Sequence, residues 1–211
     1  MPIQRRIELI HLAKETNCYI VEDDYDSEFR HEGTPISSLQ GLDPSRVIYI
    51  GSFSKILSPA LRIGYLVLPT QLINKCREYK WFSDLHTPSV EQLTLAQFIQ
   101  DGYLERHILK MKKVYKKRRD FLIQLMHQTF PNLLQISGHS TGLHLIVEWS
   151  GLVITEDLIK KGHTNGVRIY PVEDHSIHKG LHLNKMILGY GHLDEEEISE
   201  GVRRLAKTVK E

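Results

Sequence analysis

Residues 47–55 run Val-Ile-Tyr-Ile-Gly-Ser-Phe-Ser-Lys, a short apolar, mostly β-branched stretch that ends in small residues and delivers one lysine. An uninterrupted apolar run of this length suits a strand covered on both faces, as in parallel sheets. Gly51 and Ser52 interrupt the run, so the expectation is a buried strand over Val47–Ile50 with Lys55 just beyond its carboxyl end. Ligands of open α/β sheets bind at that place. Upstream, Ile7, Leu9, Ile10, Leu12 and Ala13 recur at roughly helical spacing over residues 4–16. Asn17-Cys18 ends that helix, and a strand from Tyr19 to Asp23 follows, giving an α–β unit of a doubly wound sheet. Leu42-Asp43-Pro44-Ser45 is the turn that launches the lysine strand, His31-Glu32-Gly33-Thr34-Pro35 is a loop, and Ile63–Leu68 is a third strand ending at Pro69.

The polar residues at these strand ends have a joint chemistry. A lysine amine of lowered pKa is a good imine-forming nucleophile. An acid beside a pyridine nitrogen keeps it protonated, so that the ring acts as an electron sink. A tyrosine hydroxyl can bond a phenolate oxygen, and Arg with Ser can hold a phosphate. Asp23 and Tyr25, two residues apart, share one face of a strand, which turns Asp24 the other way into a structural role. Arg62, set between apolar runs, asks for burial against an anionic partner. Asp23, Tyr25, Ser52, Lys55 and Arg62 are together the groups that a pyridoxal-phosphate site needs.

The run Glu22-Asp23-Asp24-Tyr25-Asp26-Ser27-Glu28-Phe29, with Gly51-Ser52-Phe53-Ser54-Lys55 and Leu61-Arg62-Ile63-Gly64-Tyr65, resembles the aminotransferase-like domain of MocR-type bacterial transcription regulators. These GntR-family proteins join a winged-helix DNA-binding domain to a fold-type-I pyridoxal-phosphate domain. The resemblance covers almost the whole chain. It implies an α/β fold: the second half of a fold-type-I PLP-dependent transferase large domain over residues 1–101, a long connecting helix over 102–130, and an α+β small C-terminal domain over 131–211. It implies pyridoxal 5'-phosphate as cofactor, Lys55 as the catalytic Schiff-base lysine, Asp23 at the pyridine nitrogen, Tyr25 at the phenolate oxygen, and Ser52 and Arg62 on the phosphate. It further implies a homodimer, a small amine or amino-acid effector, DNA bound only through a domain absent from this chain, and a cytoplasmic protein. In the family the region like Met1–Arg6 lies mid-domain, so the expectation is a C-terminal fragment.

Further along, helices are expected over Thr70–Lys80 and Ser89–Asp101, the second opened by a capping box of Ser89 and Gln92. Tyr103–Gln128 forms one long amphipathic pattern with Leu104, Ile108, Met111, Tyr115, Leu122 and Leu125 on one side. Lys110, Lys112, Lys113, Lys116, Lys117, Arg118 and Arg119 fall opposite, as a solvated face without interleaved base-stacking aromatics. Beyond Pro131 come strands over 133–136, 142–149, 167–170 and 186–190, a helix over 155–161, and a last helix capped by Asp194 with Glu195, Glu196 and Glu197 in its first turn. Helices over a small, largely antiparallel sheet fit the small domain of fold-type-I enzymes.

His192 is the departure from that pattern. The resemblance places an arginine that grips a substrate carboxylate near this strand end, where the chain reads Gly191-His192-Leu193. A histidine, mostly neutral at pH 7, offers no bidentate fork. His192 is therefore a substrate-position candidate that argues for a sensor over an efficient aminotransferase, the alternative reading; an inert truncated remnant is the remoter one. Ser52-x-x-Lys55 also fits the serine-acylase pattern, but Ser-Asp-Asn and Lys-Thr-Gly do not occur.

Composition adds limits. A net charge of +1 over 211 residues gives no general nucleic-acid field. No apolar run approaches the roughly 18 residues of a membrane span. Two cysteines, Cys18 and Cys76, make no disulfide framework. Twelve histidines suggest a metal site at His139 and His144, or at His175, His178 and His182, but no cysteines stand at zinc spacing, and scattered surface histidines are the simpler reading.

Overall fold

Alternation of helix and strand governs the first seventy residues of the computed structural model, which describes residues 1–33 and 37–210. Helix α1 (Ile3–Glu15) stops where Asn17 enters the left-handed region at φ 53° and the Cys18 amide bonds the Ala13 carbonyl. Strand β1 (Ile20–Asp24) follows, then the one-turn helix α2 (Leu39–Leu42), which the sequence did not suggest. Glu22 on β1 holds it: its carboxylate accepts from the Leu39 and Gln40 amides at 2.9 and 3.0 Å and pairs with Arg6 at 3.3 Å. Strand β2 (Val47–Ser52) lies between β1, to which it is parallel, and the antiparallel β3 (Gly64–Val67). The expected strands are thus present, with Thr34 and Pro35 of the expected loop outside the described residues.

Two expectations about the lysine strand are corrected. Gly51 and Ser52 do not interrupt it: both stay paired, Gly51 with Asp24 and Tyr65, and Ser52 with Gly64. The strand is also less buried than its apolar run suggests, since Val47 is enclosed while Ile48, Tyr49 and Ile50 are half-buried. All four residues of β3 are exposed. Helix α3 (Phe53–Ile56) begins directly after Ser52 and carries Lys55 in its last turn.

Helices α4 (Ile73–Asp84) and α5 (Ser89–Gln100) follow, separated by Leu85 in a left-handed conformation. The Ser89 capping box does not form. Pro88 is the N-cap, and Gln92 instead donates its side-chain amide to the Thr87 carbonyl at 2.8 Å. The long helix α6 (Tyr103–Thr129) has the expected length.

The described residues divide into two compact units, Met1–Glu28 with Gly33–Leu109, and Phe29–Glu32 with Lys110–Glu211. The second unit is built on a four-stranded antiparallel sheet of order β4-β5-β7-β6, from β4 (Leu134–Ser137), β5 (His144–Trp149), β6 (Tyr170–Pro171) and β7 (Lys185–Gly189). β5 alternates cleanly, burying Leu145, Val147 and Trp149. The last helix, α8 (Glu195–Lys210), buries Ile198, Val202, Leu205 and Thr208 at helical spacing. Its capping box forms: the Glu197 amide donates to Asp194 at 2.9 Å, and the Asp194 amide to the Glu197 carboxylate at 2.8 Å. Helix α7 (Glu156–Thr164) is capped by Thr155. The expected strand over 167–170 shrinks to β6, because only Tyr170 and Pro171 find partners on β7 while the Val167 amide turns back to the Gly162 carbonyl.

Candidate functional site

β1 and β2 run parallel and end side by side, so residues beyond both carboxyl ends are gathered at one edge of the first unit. Asp23 stands opposite Ile50, two residues before Ser52, and side-chain alternation puts Asp23 and Ser52 on the same face. Tyr25 lies one residue past β1, and exposure still alternates: Asp23 and Tyr25 are exposed and Asp24 is half-buried between them. Neighbouring Asp26 most of all, then burial, then Asp23 raise the Tyr25 phenol above its ordinary value. Ser52 is the N-cap of α3, its hydroxyl accepting from the Ser54 amide at 3.1 Å.

Lys55 is exposed on α3. His107 of α6 steadies that helix through a 3.0 Å hydrogen bond between its Nε2 and the Ile56 carbonyl. Arg62 departs from the expected burial. It is exposed and left-handed, at φ 51°, closing the single 3-10 turn Pro59–Leu61 that carries the chain from α3 into β3. Among the described residues, Asp23, Lys55 and Arg62 have neither an ion pair nor a side-chain hydrogen bond. A carboxylate, an amine and a guanidinium left without partners at adjoining strand ends suit a ligand that carries a cationic ring nitrogen, an aldehyde and a phosphate. The residues present therefore fit pyridoxal phosphate.

The opposite face of the same strand ends is filled. The Tyr49 hydroxyl donates to Asp24 Oδ2 at 2.9 Å, and the Ser27 amide donates to Asp24 Oδ1 at 3.1 Å. Tyr65, directly across from Gly51, lays its ring over that glycine, with ring centroids 6.1 Å from Tyr49 and 5.5 Å from Phe53. A Cβ at Gly51 would collide with the Tyr65 ring unless that ring swung aside. Burial, reinforced by the bond to Asp24, drives the Tyr49 phenol far above its ordinary value. Alternation from Asp23 places Asp24 here, but nothing in the sequence signals Tyr49 or the Tyr65 ring lying on Gly51.

In the second unit, His192 is exposed in the turn between β7 and α8. It lines a cavity of about 500 Å3 together with Arg168, Ile187, Leu193, Glu197 and Val202. Arg119 is not on a solvated face: it is 4% exposed, with Nη1 at 2.9 Å from Glu32 and donating to the His139 carbonyl at 2.7 Å, and Nη2 at 2.6 Å from Asp120. The spacing Tyr115, Arg119, Leu122, Met126 could have revealed it, since those four are the buried residues of α6. Arg118 and Lys117 are likewise engaged, with the Gly191 carbonyl and with Glu195. The described residues gather no group of three or more potential metal ligands, and contain no helix long and apolar enough to cross a membrane.

The profile of the family described as aminotransferase class I and II matches residues 5–174. The chain belongs to that family. Its members characteristically bind pyridoxal phosphate. Among curated relatives of this chain, the HTH-type transcriptional regulator YdeL of Bacillus subtilis (strain 168) is 40% identical over 215 residues, covering 100% of this chain and 45% of the relative. The probable rhizopine catabolism regulatory protein MocR of Rhizobium meliloti is 32% identical over 206 residues, covering 97% and 42%. Among solved structures, the multiple substrate aminotransferase of Thermococcus profundus superposes with a TM-score of 0.88 at 35% identity, covering 100% of this chain and 52% of that one. The chain thus spans about half the length of the relatives it matches. Its fold is the second half of a fold-type-I large domain followed by the α+β small domain.

Proposed function

We propose that this chain is the cofactor-binding, effector-sensing and dimerising part of a MocR-type transcription regulator, holding pyridoxal phosphate at the ends of β1 and β2. The observation that carries the reading is the unpaired trio Asp23, Lys55 and Arg62 beside Tyr25 and Ser52. Similarity to MocR and YdeL favours the regulator over other uses of the fold. DNA would be bound by a domain outside this chain, in a cytoplasmic homodimer.

Pyridoxal phosphate supplies an aldehyde that bonds amines and a ring that withdraws electrons. Lys55 provides the amine for that aldehyde. Asp23 keeps a proton on the ring nitrogen, because an anion within hydrogen-bond reach favours the charged form of its partner. Tyr25 donates its hydroxyl to the ring oxygen, and Arg62 with Ser52 holds the phosphate, the guanidinium through its paired donors. An effector amine competes with Lys55, and occupancy biases a conformational equilibrium.

The test is a visible spectrum of the full-length gene product with pyridoxal phosphate. A band lost in Lys55→Ala is expected; a band that survives this substitution overturns the assignment. A second reading, a working aminotransferase, is favoured by the similarity to the Thermococcus enzyme. Multiple turnovers with an amino donor and a keto-acid acceptor would establish it, whereas His192, without a fork for a carboxylate, predicts few.

A further inference from the structure

We infer that Asp24, Tyr49 and Tyr65 form a positioning cluster behind the cofactor site, which locks the carboxyl end of β1 so that Asp23 and Tyr25 are presented in one geometry. This rests on the function proposed above for Asp23 and Tyr25, and assigns work to three residues that touch no ligand.

Both oxygens of Asp24 are committed. Oδ2 takes the Tyr49 hydroxyl at 2.9 Å, and Oδ1 takes the Ser27 amide at 3.1 Å. The first bond ties β1 to the neighbouring strand by a side chain, one residue beyond Asp23. The second folds the chain after β1 back upon it, fixing Tyr25 and Asp26, which lie between the two ends of that bond. Tyr25 is thus enclosed in a small side-chain-to-backbone ring of the kind that aspartate makes in turns.

Tyr65 secures the phenol from the far side. Paired with Gly51 of β2, its ring lies on the glycine and beside Tyr49, and a Cβ at Gly51 would collide with that ring unless it swung aside. Burial and nearby Glu28 raise the Tyr65 phenol above its ordinary value, and the Tyr49 phenol, raised further, stays protonated as the donor to Asp24. Alternation separates the tasks: Asp24, Tyr49 and Tyr65 occupy one face, while Asp23 and Ser52 occupy the other.

The experiment uses the full-length protein and three variants. Tyr49→Phe and Asp24→Ala break the lock. Asp24→Asn keeps an oxygen for the Ser27 amide and a partner for the phenol while removing the charge. Without cofactor, hydrogen exchange of the Tyr25–Ser27 amides should quicken at least tenfold in Tyr49→Phe and Asp24→Ala and stay within about threefold of wild type in Asp24→Asn. With cofactor, the dissociation constant of pyridoxal phosphate should rise about tenfold, and the pH profile of the visible band should move, in the first two variants only. Unchanged exchange in Tyr49→Phe overturns the cluster, and so does an Asp24→Asn protein as damaged as Asp24→Ala, which would assign the effect to charge. A wild-type protein with no Lys55-dependent band overturns the proposed function instead, and the exchange measurement still decides the lock.

Discussion

Asp43 closes the turn that sends the chain into β2, and its charge should be measurable as stability. The residue is 6% exposed; Oδ1 accepts from the Ser45 amide at 3.0 Å and its hydroxyl at 2.6 Å, while Oδ2 pairs with Lys14 at 2.8 Å. Lys14 first, then Ser45, pull its carboxyl from the ordinary 3.8 to about 2. A carboxyl depressed in the folded state contributes stability that is present above 3.8 and lost as pH falls through about 2. The displacement is about 1.8, and each pH unit is worth about 1.4 kcal/mol, which sets a ceiling near 2.5 kcal/mol. Lys14 is 57% exposed, so water screens the pair and about 1–1.5 kcal/mol is expected. In Asp43→Asn the amide oxygen still accepts from Ser45, so the substitution removes the charge and its bond to Lys14 while keeping the turn. Urea unfolding at pH 7 should show that loss, and the gap from wild type should close between about pH 4 and pH 2. Equal stability at pH 7, or a gap that ignores pH, would refute the reasoning.

Two further outcomes follow from the second unit. Phe130 is 0% exposed and meets Trp149 edge-on at 4.8 Å, so Phe130→Ala should cost about 3–5 kcal/mol in chemical denaturation, and a loss under about 1 kcal/mol would show that this core relaxes around the gap. His31, whose Nε2 lies 3.1 Å from the Gly142 carbonyl, is pulled below its ordinary 6.5, chiefly by burial. A depressed folded-state value means that stability present above 6.5 is lost as pH falls below it. His31→Gln should therefore soften the drop in melting temperature between about pH 7 and pH 5.5, and an identical drop would remove His31 as its cause.

What could be read without coordinates was set by local pattern. The apolar run at 47–50 gave β2, and Asp194 with the acids of the following turn gave the start of α8, because each is a short-range physical rule that tertiary packing left alone. The rest depended on distant partners. Gly51 resembles a chain break until Tyr65 is seen lying on it from across the sheet. Arg62 looks enclosed between apolar runs until its left-handed backbone turns it outward. Arg119 looks like one more charge on a basic helix, and only Glu32 and the His139 carbonyl explain its burial.

Phe29–Glu32 groups with the second unit although the residues on both sides of it group with the first. Phe29 is fully enclosed there, edge-on to Tyr115 at 4.8 Å, and the His31 and Gly142 amides bond the Ser140 and Phe29 carbonyls. The polypeptide therefore passes between the units three times rather than once. Scission between Leu109 and Lys110 would not release two self-sufficient pieces: the downstream product would lack a plug for its own interior and leave the Tyr115 ring uncovered where Phe29 had met it. Any scheme that shuffles or separately expresses these halves must carry residues 29–32 along with the downstream one.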